Sequence, residues 1–152
     1  MPEKKTIEAA RKDKRQGKSP STQAGEFVRE EIHHIREGKH GARSTKQAIA
    51  IGLSKARRAG VKLGKPPRSA SARTRQSAES AARAGRKNPR SKPSPARSRA
   101  VRAALKHEGR SAASKESLSR HARTSAARRG RTRRVAAARK AAATRKRRAG
   151  AK

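Results

Sequence analysis

Bulky apolar residues concentrate in the first 63 positions of the chain, where they recur at helical spacing. Ala24, Phe27, Val28, Ile32 and Ile35 fall on one arc of about 140° when plotted at 100° per residue. This stripe predicts a helix that opens near Ser21-Thr22, after Pro20, and ends at Glu37, with Gly38 as its left-handed C-terminal residue. Glu31 intrudes on the arc and needs a partner or an escape to its edge. A second helix opens at Ser44-Thr45-Lys46-Gln47, a capping box in which the serine accepts from one free amide and the glutamine reaches back to another. It ends at Ala59, before Gly60. Ile49, Leu53 and Ala56 share a face with Gly52, while Lys55, Arg57 and Arg58 sit where the helix dipole favours cations. The run Ala48–Leu53 also alternates with period two, as a strand would. The cap, the alanines and the C-terminal glycine decide for helix. Ile51 then stands off the stripe, against Val61 or Leu63 or at a contact with another chain.

The short link Gly38–Arg43 makes an antiparallel hairpin the simplest packing of these two helices. A third short helix is admitted near Thr6–Gln16, although Ile7 is its only large apolar residue. The organisation expected is a basic N-terminal arm over 1–19, a helical hairpin over 20–63 and a basic tail over 64–152. The break is placed at Leu63-Gly64-Lys65-Pro66-Pro67, because glycine and paired prolines punctuate and stiffen a linker. A hairpin this small is below the size at which a core is self-sufficient, so a homodimer through the head is one route to stability.

Composition changes the picture beyond residue 65. The chain carries 45 Lys plus Arg against 10 Asp plus Glu, a net +35 over 152 residues. Residues 1–65 hold 17 basic and 7 acidic side chains, whereas 66–152 hold 28 basic and 3 acidic ones. Across the second stretch the large apolar residues are Val101, Leu105, Leu118 and Val135. Four such residues cannot offset a backbone ordering cost of roughly 1–2 kcal/mol per residue. The fold expected is therefore mostly α and disordered: a small helical hairpin head with a long disordered Arg/Ala/Ser-rich tail. A loose repeat runs through that tail. Ser80-Ala81-Ala82-Arg83-Ala84-Gly85-Arg86 recurs as Ser125-Ala126-Ala127-Arg128-Arg129-Gly130-Arg131, although composition alone can produce such a match. Alanine-rich segments between the glycines are expected to turn helical when their charge is neutralised.

A stretch with a net charge of +25 matches the phosphates along roughly 40 Å of duplex DNA, at one charge per ~1.7 Å. Engaging about 8 phosphates would give a log–log salt slope near −7, or about four decades of affinity lost between 50 and 200 mM salt. Arg outnumbers Lys in the tail by 21 to 7, which favours forked phosphate contacts and narrow minor grooves over point-charge attraction. Arg99, Arg102, Lys106 and Arg110 follow helical spacing and would form one cationic ridge. Arg128, Arg129, Arg131, Arg133, Arg134, Arg139, Lys140, Arg145, Lys146, Arg147 and Arg148 are the densest basic cluster and the best candidate contacts. Arg129-Gly130-Arg131 has the AT-hook core without its following proline, which makes it a plain phosphate clamp. Ser94-Pro95-Ala96-Arg97 is similar to the S-P-x-K/R units of histone tails, but a single copy reads better as an ordinary turn. Phe27 is the sole aromatic of the chain, so the tail has no residue on which single-stranded bases could stack. Duplex DNA bound without sequence preference is the expected partner. Structured or ribosomal RNA is the first rival, and a protein-interaction module with a solubilising basic tail the second. Polybasic attraction to anionic lipid ranks below these, because the tail lacks a bulky apolar face.

The stretch Lys46-Gln47-Ala48-Ile49-Ala50-Ile51-Gly52-Leu53-Ser54-Lys55-Ala56-Arg57 resembles the signature of a small basic bacterial family, a domain of unknown function with a K-Q-A-I-A-I-x-L-S-x-A core. The upstream Glu26-Phe27-Val28 and His33-His34, followed by a Gly- and Lys-rich loop, fill the corresponding region, so the resemblance covers roughly 20–63. It implies a bacterial cytoplasmic setting and brings no established chemistry. The tail resembles linker-histone tails, which are typically richer in lysine. With the DNA reading, the expected location is the bacterial nucleoid.

Little else in the chain suggests chemistry. There is no cysteine, so disulfide scaffolds, thiol chemistry and Cys-ligated zinc sites are excluded. No apolar h-region follows Met1 and no run suits a membrane-spanning helix, so neither a secretory signal nor a membrane anchor is expected. Glu30, His33, His34 and Glu37 lie on one polar helix face at spacings compatible with a zinc or nickel site, with His40 as an extra ligand. A solvated face paired by nearby Lys and Arg is preferred, and no metal or cofactor is expected. Residues 22–37 hold four Glu against two Arg, so this helix should turn away from phosphate. Neither a nucleophile frame nor a phosphate-binding glycine pattern occurs, and the chain is read as a non-enzyme.

Overall fold

The computed structural model describes residues 2–87 and 94–150, without the side chains of Arg97 and Arg148. Seven α-helices occur among them: α1 (Lys4–Arg15), α2 (Pro20–Arg36), α3 (Thr45–Arg58), α4 (Ala72–Lys87), α5 (Pro95–Lys106), α6 (Lys115–Arg128) and α7 (Gly130–Ala149). A 3₁₀ turn at Ser111–Ala113 precedes α6. The contacts separate into two units, residues 1–114 and 115–152.

The helix α2 starts earlier than its apolar stripe suggests. Ser19 is its N-cap and accepts from Thr22 N, with Pro20 in the first helical turn, where a missing N–H costs nothing. The helix thus opens at Pro20 itself rather than just after it. At the other end Gly38 has φ +76°, as expected of a left-handed terminal residue. Helix α3 is capped by Ser44, which accepts from Gln47 N at 3.2 Å. Gln47 Oε1 in turn accepts from Arg43 N at 2.8 Å, one residue before the cap. The strand alternative is thereby settled as helix.

Helix α2 packs on both α1 and α3, and α3 packs on α4. Ala10, Ala24, Phe27 and Ala56 form the buried centre, with Ile7, Leu53, Val61 and Leu63 against it. The buried row of α3 is Thr45, Ala48, Gly52 and Ala56; Ile49 and Leu53 flank it, half-buried. Small residues therefore line the seam between α2 and α3. A Cβ built on Gly52 would lie 2.7 Å from Val28 Cα. The same holds where α4 meets α3: a Cβ on Gly85 would lie 2.0 Å from Arg57 O.

The long disordered tail expected over 64–152 is contradicted. Helices α4 to α7 lie in it, and Ala81 and Gly85 of α4 are buried. Few bulky apolar residues limit how much surface a segment buries; they do not limit local helix formation. Alanine has the highest helix propensity, and Arg and Lys are close behind. The tail is rich in all three.

Residues 105–113 then return to the α2–α3 loop. Gly41 N donates to Leu105 O at 2.8 Å and Ala42 N to Gly109 O at 3.0 Å. Thr45 Oγ1 donates to Ala112 O at 2.7 Å, and Arg36 Nε to Ala113 O at 2.8 Å. Ala112 and Ala113 are buried there. A Cβ on Gly41 would lie only 1.8 Å from Glu108 O. Gly41→Ala should cost about 1–3 kcal/mol by overpacking backbone against backbone. Gly25 is exposed within α2 with nothing within 4 Å of a built Cβ, so Gly25→Ala should stabilise by about 1 kcal/mol. Urea unfolding of the two variants checks both signs.

Candidate nucleic-acid interface

The proposed contact residues lie in both units. In the second, α7 carries nine basic side chains, at 131, 133, 134, 139, 140, 145, 146, 147 and 148, and no acidic one. Advancing 100° per residue distributes these charges around the whole helix rather than on one face. Arg131, Arg133, Arg134, Arg139, Lys140, Arg145, Lys146 and Arg147 are exposed, and none of the described side chains of α7 is buried. Arg128 ends α6 and Arg129 follows it, both exposed. Arg148 lies on α7 with its side chain outside the described set. A helix charged on every side and with no buried side chain among those described is held mainly by alanine propensity, against the mutual repulsion of its cations.

Arg129-Gly130-Arg131 is a helix break. Gly130 has φ +73°, a left-handed conformation between α6 and α7 that is nearly free for glycine and costs other residues about 1–2 kcal/mol. Its counterpart in the sequence repeat, Gly85, sits inside α4 against Arg57 O. The two copies thus have different structures.

In the first unit Arg99, Arg102 and Lys106 lie on α5 and are exposed, but Arg110 falls in the turn after the helix. The four do not form one helical ridge, because α5 stops at Lys106. Ser94-Pro95 opens α5, with Ser98 N donating to Ser94 O at 2.9 Å, rather than forming an isolated turn. Arg102 and Lys106 face a cleft of about 710 Å³ whose apolar wall includes Ile7, Ile51, Val101 and Leu105. Ile51, left off the core stripe by the sequence, has its place here.

The acidic face of α2 opens on the same cleft. Glu31 is fully buried, with Lys55 Nζ 2.6 Å from Oε2 and His40 Nε2 3.3 Å from Oε1. Lys55 also reaches Glu30 Oε1 at 3.4 Å. His34 Nε2 lies 2.8 Å from Glu3 Oε1. That hydrogen bond, followed in effect by the Lys39 ammonium, outweighs desolvation and holds the Glu3 carboxyl below its ordinary range. Of the metal-candidate set read from the sequence, His33 is exposed and apart. Glu31, His34 and His40 are the group whose ligand atoms lie within 4.8 Å of one another. Helical spacing marks Glu31 and His34 as neighbours, but the sequence reading assigned Glu31 to the apolar arc and overlooked its place here.

Residues 3–68 match a family of unknown function (DUF6496). This bears out the expectation of a domain of unknown function and takes in α1 as well as α2 and α3. No curated protein and no solved structure matches the chain. No helix among the described residues is long and apolar enough to cross a membrane.

Backbone amides of α7, lacking any packed face, should exchange with solvent far faster than those of α2 and α3, whose seam is buried. Hydrogen exchange read by mass spectrometry checks this contrast. Equal protection in the two regions would contradict it.

Proposed function

We propose that the protein binds duplex nucleic acid, DNA in the first place, without sequence preference and through the 115–152 unit. The observation that carries this reading is α7, with nine cations, no acid and no buried described side chain. A 20-residue helix is about 30 Å long, and duplex DNA presents about 18 phosphates over that length. An α-helix with its side chains is about 10–12 Å wide, which suits the ~12 Å major groove. Cations on all sides of such a helix reach phosphates on both flanking strands. Binding releases condensed counterions and relieves the repulsion within α7, so the same event favours the complex and the helix. Arginine forks supply bidentate phosphate contacts. α7 has none of the Asn, Gln, Asp or Glu that pair with adenine and cytosine edges, and its arginines are spread around the helix rather than set on one base-facing stripe, which supports binding without sequence preference. Glu30 and Glu31 of α2 are buried in the first unit beside Lys55 and the histidines, while Glu26 and Glu37 are paired with Arg29 and Lys39.

The test is the salt dependence of affinity for a random-sequence duplex. About half of the α7 cations can face phosphate at once, so removing residues 130–152 should reduce the log–log slope by about 4 and weaken binding at every sequence alike. Preference for one sequence, or an unchanged slope after the deletion, would contradict the reading. Competition by structured RNA at fixed salt separates the RNA rival: if RNA displaces DNA at far lower concentration, the partner is RNA.

A further inference from the structure

We propose that Glu31, His34 and His40 form a three-ligand site for a single zinc-class divalent cation, open to the cleft beside α2 and α3. The ligand atoms of the three residues already lie within 4.8 Å of one another. Donors bound at 2.0–2.1 Å in tetrahedral geometry are about 3.3–3.4 Å apart. His40 Nε2 and Glu31 Oε1 have that spacing, at 3.3 Å. The third side lies within 4.8 Å, and closing it requires movement of the His34 ring, which stands edge-on to His40 with centroids 6.2 Å apart and meets Glu3 Oε1 through Nε2 at 2.8 Å.

A second, independent observation is the state of Glu31. Its side chain is 1% exposed, and neither carboxylate oxygen has a hydrogen bond of acceptable geometry. Lys55 contributes charge at Oε2 but leaves Oε1 facing His40. The third observation is the tautomer of His40. Its Nδ1 lies 3.0 Å from Gly41 O, and a carbonyl only accepts, so Nδ1 carries a proton. In a neutral ring Nε2 then presents a lone pair to a carboxylate oxygen. Two acceptors facing each other at this distance need a cation between them or a second proton on the ring. A ligating histidine commonly directs its other N–H to a backbone carbonyl in this way. The loop that carries His40 is pinned by the Gly41–Leu105 and Ala42–Gly109 hydrogen bonds, which preorganises the ligand. Two nitrogens and one carboxylate suit zinc and cobalt over calcium or magnesium. The cleft leaves a further coordination position for water or an anion, as in three-ligand zinc sites that keep an open position.

The experiment is a Co2+ titration of the intact, chelator-treated chain, read by visible ligand-field absorption. A band saturating at one equivalent is expected, with affinity at least about tenfold weaker in His40→Ala and His34→Ala. His33→Ala, an exposed neighbour, should leave it unchanged. Because a cavity at His40 could disturb the fold, imidazole NMR signals of the unsubstituted protein provide a second reading. Added Zn2+ should shift His34 and His40 and spare His107 and His121. Absence of a one-equivalent complex, or equal shifts at all five histidines, overturns the proposal. His40 would then carry the second proton and serve only as the cationic partner of Glu31. Either result is independent of DNA binding by residues 115–152.

Discussion

Close approach of helix backbones is the constraint on which the first unit depends. One phenylalanine and a handful of Ile, Leu and Val cannot fill a core of ordinary helix spacing. The chain brings the helices together instead, using Gly52 at the α2–α3 seam and Gly85 where α4 meets α3. Alanine fills the remaining buried positions: Ala10, Ala24, Ala48, Ala56 and Ala81 are all at 5% exposure or less. Packing of this kind offers modest dispersion and transfer energy per residue but loses little side-chain entropy, since alanine has none to lose. It also leaves few places to absorb added volume. A methyl group at a close approach must displace backbone, whereas in a Leu-rich core a rotamer change would suffice.

Close packing also explains how a carboxylate comes to be buried on an apolar stripe. Glu31 lies between Phe27 and Ile35 along α2, and its removal from water would be prohibitive without opposite charge. Lys55, one helix away on α3, reaches it because the α2–α3 seam is narrow. His40 arrives from the loop because residues 105–109 hold that loop in place. The acidic face of α2 is consequently an internal tie between α1, α2, α3 and the connecting loop. An acidic patch within a strongly basic protein thus has a structural origin.

How much of this could be read from the sequence follows from the range of each interaction. Caps and terminal glycines act within four residues, and Ser44, Gln47, Gly38 and Gly60 marked the helix boundaries accordingly. The sequence places the start of α2 just after Pro20 and admits α1 only as a third short helix. A proline fits the first turn as well as a break, and α1 is anchored by Thr6, Ala10 and Asp13, which carry no hydrophobic signal. The return of residues 105–113 onto the α2–α3 loop had no local signature, because it consists of backbone carbonyls accepting from residues some 70 positions away. Glu31 was legible as an anomaly, but its partners were not: Lys55 follows by 24 positions, and nothing in the spacing selects it over the other lysines. Disorder was inferred from the scarcity of bulky residues, a criterion that concerns tertiary burial. The helix of 72–87 adds a small-residue contact with α3 to its local propensity, whereas those of 115–149, without a buried side chain among the described residues, rest mainly on propensity, which the same composition favours.

Charge separates the two units by how each cation is held. In residues 1–114 many cations have carboxylate or carbonyl partners, as Lys18, Arg29, Arg36, Lys39, Lys55 and Arg57 do. Moving Lys55, which faces the buried Glu31, would disturb the fold. Residues 115–152 carry 15 basic side chains against Glu116 alone, so most of that charge cannot be balanced by carboxylates of the same unit. Repulsion within α7 therefore opposes the helix that alanine propensity favours, and only counterions or an external polyanion can reduce it. A polyanion does so with less loss of ion entropy, because its own condensed counterions are released. A polyanion bound as proposed and the helix would thus stabilise each other thermodynamically. A helix with no packed face is the arrangement in which that coupling is strongest, since no buried surface holds it in place beforehand.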